Sequence, residues 1–279
     1  MSSLASATGA PRKAVTYVRD LWARKEFAWH LALSELKARN ATTSLGILWW
    51  VLNPLLMTGV YFLVFGIILS RGRRSDPEYL GYLMSGMFAF HFTTGVVTGA
   101  AGTILRNARL IVNLRFPRLL LPISSIIESG IGFLVSIVAF FAIIIPQTGN
   151  WPGWRLVWLL PIFVAHLAMN LGLAALVARL AVPFRDVSNL IPFLVRIWLY
   201  LSPIIWTLEL LESADVPSWL PTLMNFNPMF HFLSVYRTAL LGWDFDPGAL
   251  LGAGIWAVVI VIIGTITFVR FEGRVVQYL

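Results

Sequence analysis

Six stretches of this chain each run for about twenty residues with almost no charge, and that pattern limits the fold more than any other feature of the sequence. A helix needs roughly 20 predominantly apolar residues to cross the hydrocarbon layer, where every backbone polar group must find its partner inside the protein. The runs are 47–69, 80–105, 119–145, 156–178, 190–208 and 249–269. Charged residues make up only 12% of the 279 residues against 58% hydrophobic, with a mean hydropathy of +0.78. A soluble domain carries about 25% charged residues to cover its surface, so that class is excluded. The sequence predicts an all-α membrane protein of six transmembrane helices.

The segment 216–241 is also long enough to span, but it contains Pro217, Pro221, the pair Asn227-Pro228 and Arg237. Proline removes a helical donor and clashes with the preceding turn, so this stretch is expected to form short re-entrant segments. With six spans both termini share one side. That side collects 15 of the 21 basic residues, in the first 40 positions, around Arg106 to Arg118, at Arg179 and Arg185, and at Arg270 and Arg274. The other side holds five, Arg71, Arg73, Arg74, Arg155 and Arg237, with Arg196 inside a span. The positive-inside rule then places both termini in the cytoplasm, and the membrane expected is the plasma membrane. The Arg71 to Arg74 cluster runs against the rule. No apolar core precedes the first span, so no cleaved leader is expected.

Residues 1–46 read as a cytoplasmic segment, 47–270 as the transmembrane domain and 271–279 as a cytoplasmic tail. In the first segment Val15, Val18, Trp22 and Trp29 fall on one helical face, continued by Leu33 and Leu36, which makes an interfacial amphipathic helix. Asp20 with Arg24 and Glu35 with Arg39 stand at the favourable i,i+4 spacing.

Several chemistries are missing. The only lysines, Lys13, Lys25 and Lys37, do not follow a glycine, so a phosphate-cradling G-x-x-x-x-G-K-[ST] loop is absent. No cysteine is present, and the four histidines lie more than 60 residues apart, so neither a thiolate site nor a local histidine metal motif is expected. Candidate intramembrane nucleophiles and acids are few, chiefly Ser85, Ser124, Ser125 and Ser136 with His91 and His166. Serine is a common packing residue in membrane helices, as are the pairs Gly95/Gly99 and Gly248/Gly252. Two ionisable residues inside spans stand out. Glu128 and Arg196 lie about 14 and 9 Å from the same membrane face at 1.5 Å per residue. They either pair with one another or line a hydrated path for substrate.

The residues around the first span then show a resemblance. Glu35, Leu36, Lys37 and Arg39 are followed by Ser44, Leu45, Gly46, Leu48, Trp49 and Pro54. A loop after the second span carries Asn107, Leu110, Ile111, Arg115, Phe116, Pro117, Leu121 and Pro122. Phe184, Arg185 and Asp186 lie between the fourth and fifth spans, and Asn227, Pro228 and Arg237 precede the last. In this order the blocks resemble the membrane-spanning subunit of ABC-2 type exporters, specifically the polysaccharide, polyol-phosphate and O-antigen export permeases. Asn40 and Asn113 depart from the family's aromatic and lysine at those places. The resemblance implies a homodimer enclosing a channel, bound to two copies of a separate ABC ATPase that carries the ATP and Mg, with no cofactor on this chain. It also implies that Glu35, Lys37, Arg39, Asn107, Leu110, Arg115, Phe116, Arg185 and Asp186 couple to that ATPase.

A glycan channel needs rings that stack on sugar C–H faces. Tyr61, Phe62, Phe65, Tyr82, Phe88, Phe92, Trp198 and Tyr200 are the candidates on the first, second and fifth spans. The expected function is export of a lipid-linked polysaccharide by a transport subunit that is not itself an enzyme. The alternatives are an ABC-2 drug or lipid exporter subunit, or an intramembrane glycosyl- or acyltransferase. A preference of 18 arginines to three lysines points to a GC-rich genome. For a source with an arabinogalactan wall, a lipid-linked galactan is the first substrate expected.

Overall fold

Small residues at regular spacing decide which helices sit at the centre. The computed structural model describes residues 14–40, 43–69, 77–149, 151–207 and 223–278, and among these the regular elements are all helical. Arg12, Lys13, the Arg71 to Arg74 cluster, Pro217, Pro221 and the side chain of Arg39 lie outside the described part. The elements are α1 (Ala14–Ala23), α2 (Lys25–Asn40), α3 (Trp49–Tyr61), α4 (Pro77–Arg106), α5 (Ala108–Asn113), α6 (Leu120–Thr148), α7 (Leu159–Ala181), α8 (Val187–Leu201), α9 (Pro228–Leu241) and α10 (Pro247–Glu272). α3 continues as a wider π-helical stretch over Phe62–Ile68.

α4 is the hub, touching α3, α6, α7, α8 and α9. Gly95 and Gly99 make this possible: a Cβ there would stand 2.7 and 3.2 Å from the hydroxyls of Ser129 and Ser125 on α6. α7 and α10 approach still more closely. A Cβ on Gly172 would run into the backbone carbonyl of Ile260, and one on Gly264 into the carbonyl of Gly172. Gly252 leaves room for the His231 ring of α9. Such small-residue contacts let backbones meet where lipid offers no hydrophobic drive for association.

Five helical stretches are long and apolar enough to cross a membrane: Trp49–Ile68, Pro77–Arg106, Leu120–Thr148, Gly153–Ala181 and Pro247–Glu272. The expected fifth span at 190–208 is shorter than the sequence suggested. α8 ends at Leu201 after 15 residues, about 22 Å of helix against a hydrocarbon layer of roughly 30 Å. The cause is Pro203: the residue before a proline is pushed out of the helical region, and Ser202 is extended at φ −99°, ψ 145°. Isoleucines 204 and 205 keep the segment apolar without making it helical. In the 216–241 region, α9 is a single 14-residue helix with Asn227 as N-cap and Pro228 in its first turn, and it ends at Gly242 in the left-handed region at φ 73°.

One buried polar side chain at the centre of the bundle is held by others. His166 on α7 bonds Thr93 at 2.6 Å and Tyr236 at 3.0 Å, inside a sleeve of Phe92, Phe133 and Phe232. A serine-histidine pair of the kind an intramembrane hydrolase needs is not formed here, because the partners of this imidazole are Thr93 and Tyr236.

Candidate functional site

The described basic residues expected on the cytoplasmic side gather at one end of the bundle. There Tyr17, Ile111, Leu119, Val182, Phe268 and Val275 share a second hydrophobic cluster with Leu21, Phe27 and Phe116. The cluster joins α1 and α2 to the α4–α6 loop, to the end of α7 and to the last turn of the chain. Phe27 packs on Phe116 with ring centroids 4.9 Å apart, and Arg24 donates to the Arg115 carbonyl. Asn107 donates to Glu35 at 3.3 Å, while its own amide also holds the Thr103 carbonyl at 2.9 Å. The backbone N–H of Arg118 donates to the Glu272 carboxylate at 2.7 Å, and its guanidinium donates to the Glu272 carbonyl. Residues distant in sequence thus form one platform.

The coupling candidates sort themselves on this platform. Glu35, Asn107, Leu110 and Phe116 are half-buried within it, whereas Lys37, Arg115, Arg185 and Asp186 are exposed on its rim. Arg185 and Asp186 belong to the turn that starts α8, which Ser188 fastens to the Ala101 carbonyl at 3.3 Å. Between the two groups Val112 and Leu114 stand out with 65% and 51% of their surface exposed. Apolar side chains in a basic rim make the chemistry of a protein-docking surface. The sequence reading missed Arg24 and Glu272 as platform residues, because their roles depend on partners about 90 and 150 positions away. It also assigned the N-terminal helix one apolar face. The structure splits that helix into α1 and α2. Tyr17, Ala28, Ala32 and Leu36 face the protein, while Val18, Trp22 and Trp29 are exposed.

At the opposite end a collar holds the non-helical stretch after α8. Tyr79 donates to the Ile205 carbonyl at 2.7 Å, and Tyr82 reaches the carbonyls of Pro203 and Trp206 at 2.9 and 2.7 Å. Arg237, 5% exposed, donates to Pro203 at 2.5 Å with its guanidinium 3.6 Å from the centre of the Tyr82 ring. Asn227 bonds Leu201, Ser202 and Met229 and accepts from Trp198 at 2.8 Å. Nearby, Arg155 pairs with Asp244 at 2.9 Å. Removing one hydroxyl from the collar, as in Tyr82→Phe, is expected to cost about 1 kcal/mol, read as a lower midpoint of thermal unfolding in detergent.

The aromatic candidates do not form one set. The Tyr61 and Tyr200 hydroxyls are 3.4 Å apart and Tyr61 packs on Phe65 at 6.2 Å, whereas Trp198 packs on Phe90 of α4 with centroids 5.6 Å apart. Phe62 stacks on Tyr79, which stacks on Tyr82, both with centroids 6.2 Å apart. Tyr82, Phe88 and Phe92 are enclosed within the bundle. Of the two intramembrane charges, Glu128 is enclosed on α6 at 3% exposure, while Arg196 is exposed on α8 within electrostatic reach of Tyr61. A cavity of about 440 Å³ lies between α3, α4 and α6 and is bordered by Phe88 and Phe92. Among the described residues no group of three or more His, Asp or Glu could hold a metal ion.

A family model described as ABC-2 type transporter matches residues 27–241. The O-antigen export system permease protein RfbA of Myxococcus xanthus is 27% identical over 223 residues, covering 80% of this chain and 83% of that protein. The O-antigen export system permease protein RfbA of Klebsiella pneumoniae is 23% identical over 248 residues, covering 88% and 92% respectively. The matched span begins in α2 and ends with α9, so it takes in the collar and the platform residues Phe27, Glu35, Asn107 and Phe116, while Tyr17, Arg24, Phe268, Glu272 and Val275 of the platform lie outside it.

Proposed function

The chain belongs to the ABC-2 type transporter family, and from that premise we propose that it is the permease subunit through which a separate ATPase drives a lipid-linked polysaccharide out of the cytoplasm. The observation that carries this reading is the platform, where Glu35 of the N-terminal block is hydrogen-bonded to Asn107 of the loop after α4. A stroke delivered to the exposed rim reaches α4, the most enclosed of the long helices, within a few residues. The names of the relatives support a polysaccharide as cargo.

In this reading α8 and the collar together form the fifth of six spans, and α9 is re-entrant. Residues 1–46 and 271–279 face the cytoplasm, in keeping with the basic residues at that end, and the membrane is the plasma membrane. Two copies pair along the exposed apolar faces of α3 and α8, where Leu56, Val60, Leu63, Phe193, Leu194 and Ile197 lie uncovered. Tyr61, Phe62, Phe65, Trp198 and Tyr200 then border the passage between the copies, with Arg196 beside it. Two ATPase subunits, which hold ATP and Mg, dock on the two platforms through Lys37, Arg39, Arg115, Arg185 and Asp186. Nucleotide-driven closure of the ATPases shifts the platform as a body and tilts α4 and α6 between two packed arrangements.

Depletion of the chain tests the cargo. A lipid-linked glycan accumulating at the cytoplasmic face is the expected outcome, and its chemical analysis identifies the sugar. Unchanged glycan levels together with retained small amphiphiles would instead make the chain a drug or lipid exporter subunit.

A further inference from the structure

The cavity between α3, α4 and α6 has walls of a specific chemistry. Thr94 donates to the Phe90 carbonyl at 3.0 Å, Thr98 to the Thr94 carbonyl at 2.7 Å and Ser136 to the Gly132 carbonyl at 2.9 Å. Those hydroxyl protons are committed to the helices, which leaves their lone pairs as acceptors. Asn53 and His91, also on the wall, supply N–H donors, and Ser129 supplies a further hydroxyl. Trp49, Trp50, Phe88, Phe92 and Phe133 form most of the remaining lining, and among the described residues no Asp, Glu, Lys or Arg contributes to it.

The space is kept open by missing side chains. The Trp50 ring lies across Gly132, where a Cβ would sit 2.8 Å or less from ring atoms, and Gly95 faces Ser129 at 2.7 Å from where its own Cβ would be. The volume of about 440 Å³ falls within the range of pockets that take small organic ligands, about 300–1,000 Å³.

This lining suits one of three ligand classes better than the other two. A phosphate or carboxylate would find no cation among these residues, and burying it without one is costly. A hydrocarbon tail would strip water from the amide, imidazole and hydroxyl groups and return no hydrogen bonds. A neutral sugar ring offers hydroxyls to the donors and acceptors and apolar C–H faces to the five rings. We propose that this cavity is a saccharide subsite built within a single protomer by α3, α4 and α6. It rests on the export reading only for the source of the sugar, which would be a unit of the exported glycan.

The absence of cysteine makes the test direct, since Ser129→Cys introduces the sole thiol of the chain. The full chain is placed in lipid nanodiscs and its modification by a water-soluble maleimide is timed with dodecyl maltoside or dodecylphosphocholine, which share a tail and differ in headgroup. The maltoside is expected to slow modification about tenfold when it occupies the site nine-tenths of the time, and the phosphocholine to leave it unchanged. A thiol placed on α2 by Ser34→Cys reacts equally under both conditions. Adding Ser136→Trp to fill the cavity should abolish the protection. Equal protection by both amphiphiles, no protection by the maltoside, or protection that survives Ser136→Trp in a well-folded chain would each overturn the assignment. Failure of the export reading would show as unchanged glycan on depletion and leave this binding measurement standing, so the two are told apart.

Discussion

Gly172→Leu is expected to prevent the chain from reaching a monodisperse folded state in detergent or lipid. A Cβ at this position alone would meet the Ile260 carbonyl, and the reciprocal position, Gly264, faces the Gly172 carbonyl. The obstacle is backbone on both sides, so no rotamer change relieves it and α7 must move bodily off α10. Overpacking a close-packed interior costs about 1–3 kcal/mol and occasionally more, and a rigid backbone contact belongs at or beyond the upper end. Gly172→Ala is expected to be harmful as well. Gly254→Ala on the same α10 meets nothing within 4 Å and is expected to stay within about 0.5 kcal/mol of the parent. Size-exclusion profiles of fluorescent fusions after graded heating separate the three variants. A well-behaved Gly172→Leu chain would mean that α7 and α10 do not meet as described.

Asn107→Asp is expected to uncouple ATP hydrolysis from export, with a loss of stability that relief of the repulsion partly restores. It replaces a donor 3.3 Å from the Glu35 carboxylate with a second carboxylate. Two like charges at that distance repel by about 5 kcal/mol at an effective dielectric of 20, and less where water reaches a half-buried pair. An effect of about 1.4 kcal/mol on the stroke already reduces the rate tenfold. Export should therefore fall about tenfold or more while ATP hydrolysis by the partner continues. Adding Glu35→Gln removes the repulsion, lets the new amide donate to the new carboxylate and should restore most of the export. Export that stays at the parental rate in Asn107→Asp would remove this contact from the coupling route.

The apolar runs made five of the spans legible to within about three residues of their ends, because length and hydropathy carry these helices even past an internal Pro54 or Pro146. Pro203 shows where that reading failed: Ile204, Ile205 and Trp206 read as span, yet the restriction on Ser202 ends α8 at Leu201. The rule that predicts this break is local, and the apolar run masked it. The platform was partly legible, since Glu35 and Asn107 were both singled out as coupling residues. Their hydrogen bond joins positions 72 apart, and no periodicity encodes that separation. Arg24 and Glu272 left no local signal of their platform contacts. Aromatic content pointed to rings able to stack on sugar but did not say which ones are covered. The enclosure of Tyr82, Phe88 and Phe92 follows from α4 being the hub, a property of the glycines and serines around them.

Co-purification tests most directly whether an ATP-driven stroke enters at the basic end. The parental chain, solubilised in mild detergent, is expected to bring down an ATP-hydrolysing protein. Val112→Asp with Leu114→Asp on the exposed rim should release that protein and leave the permease folded. Group transfer catalysed by the isolated chain, or a partner that stays bound when the rim is changed, would contradict it.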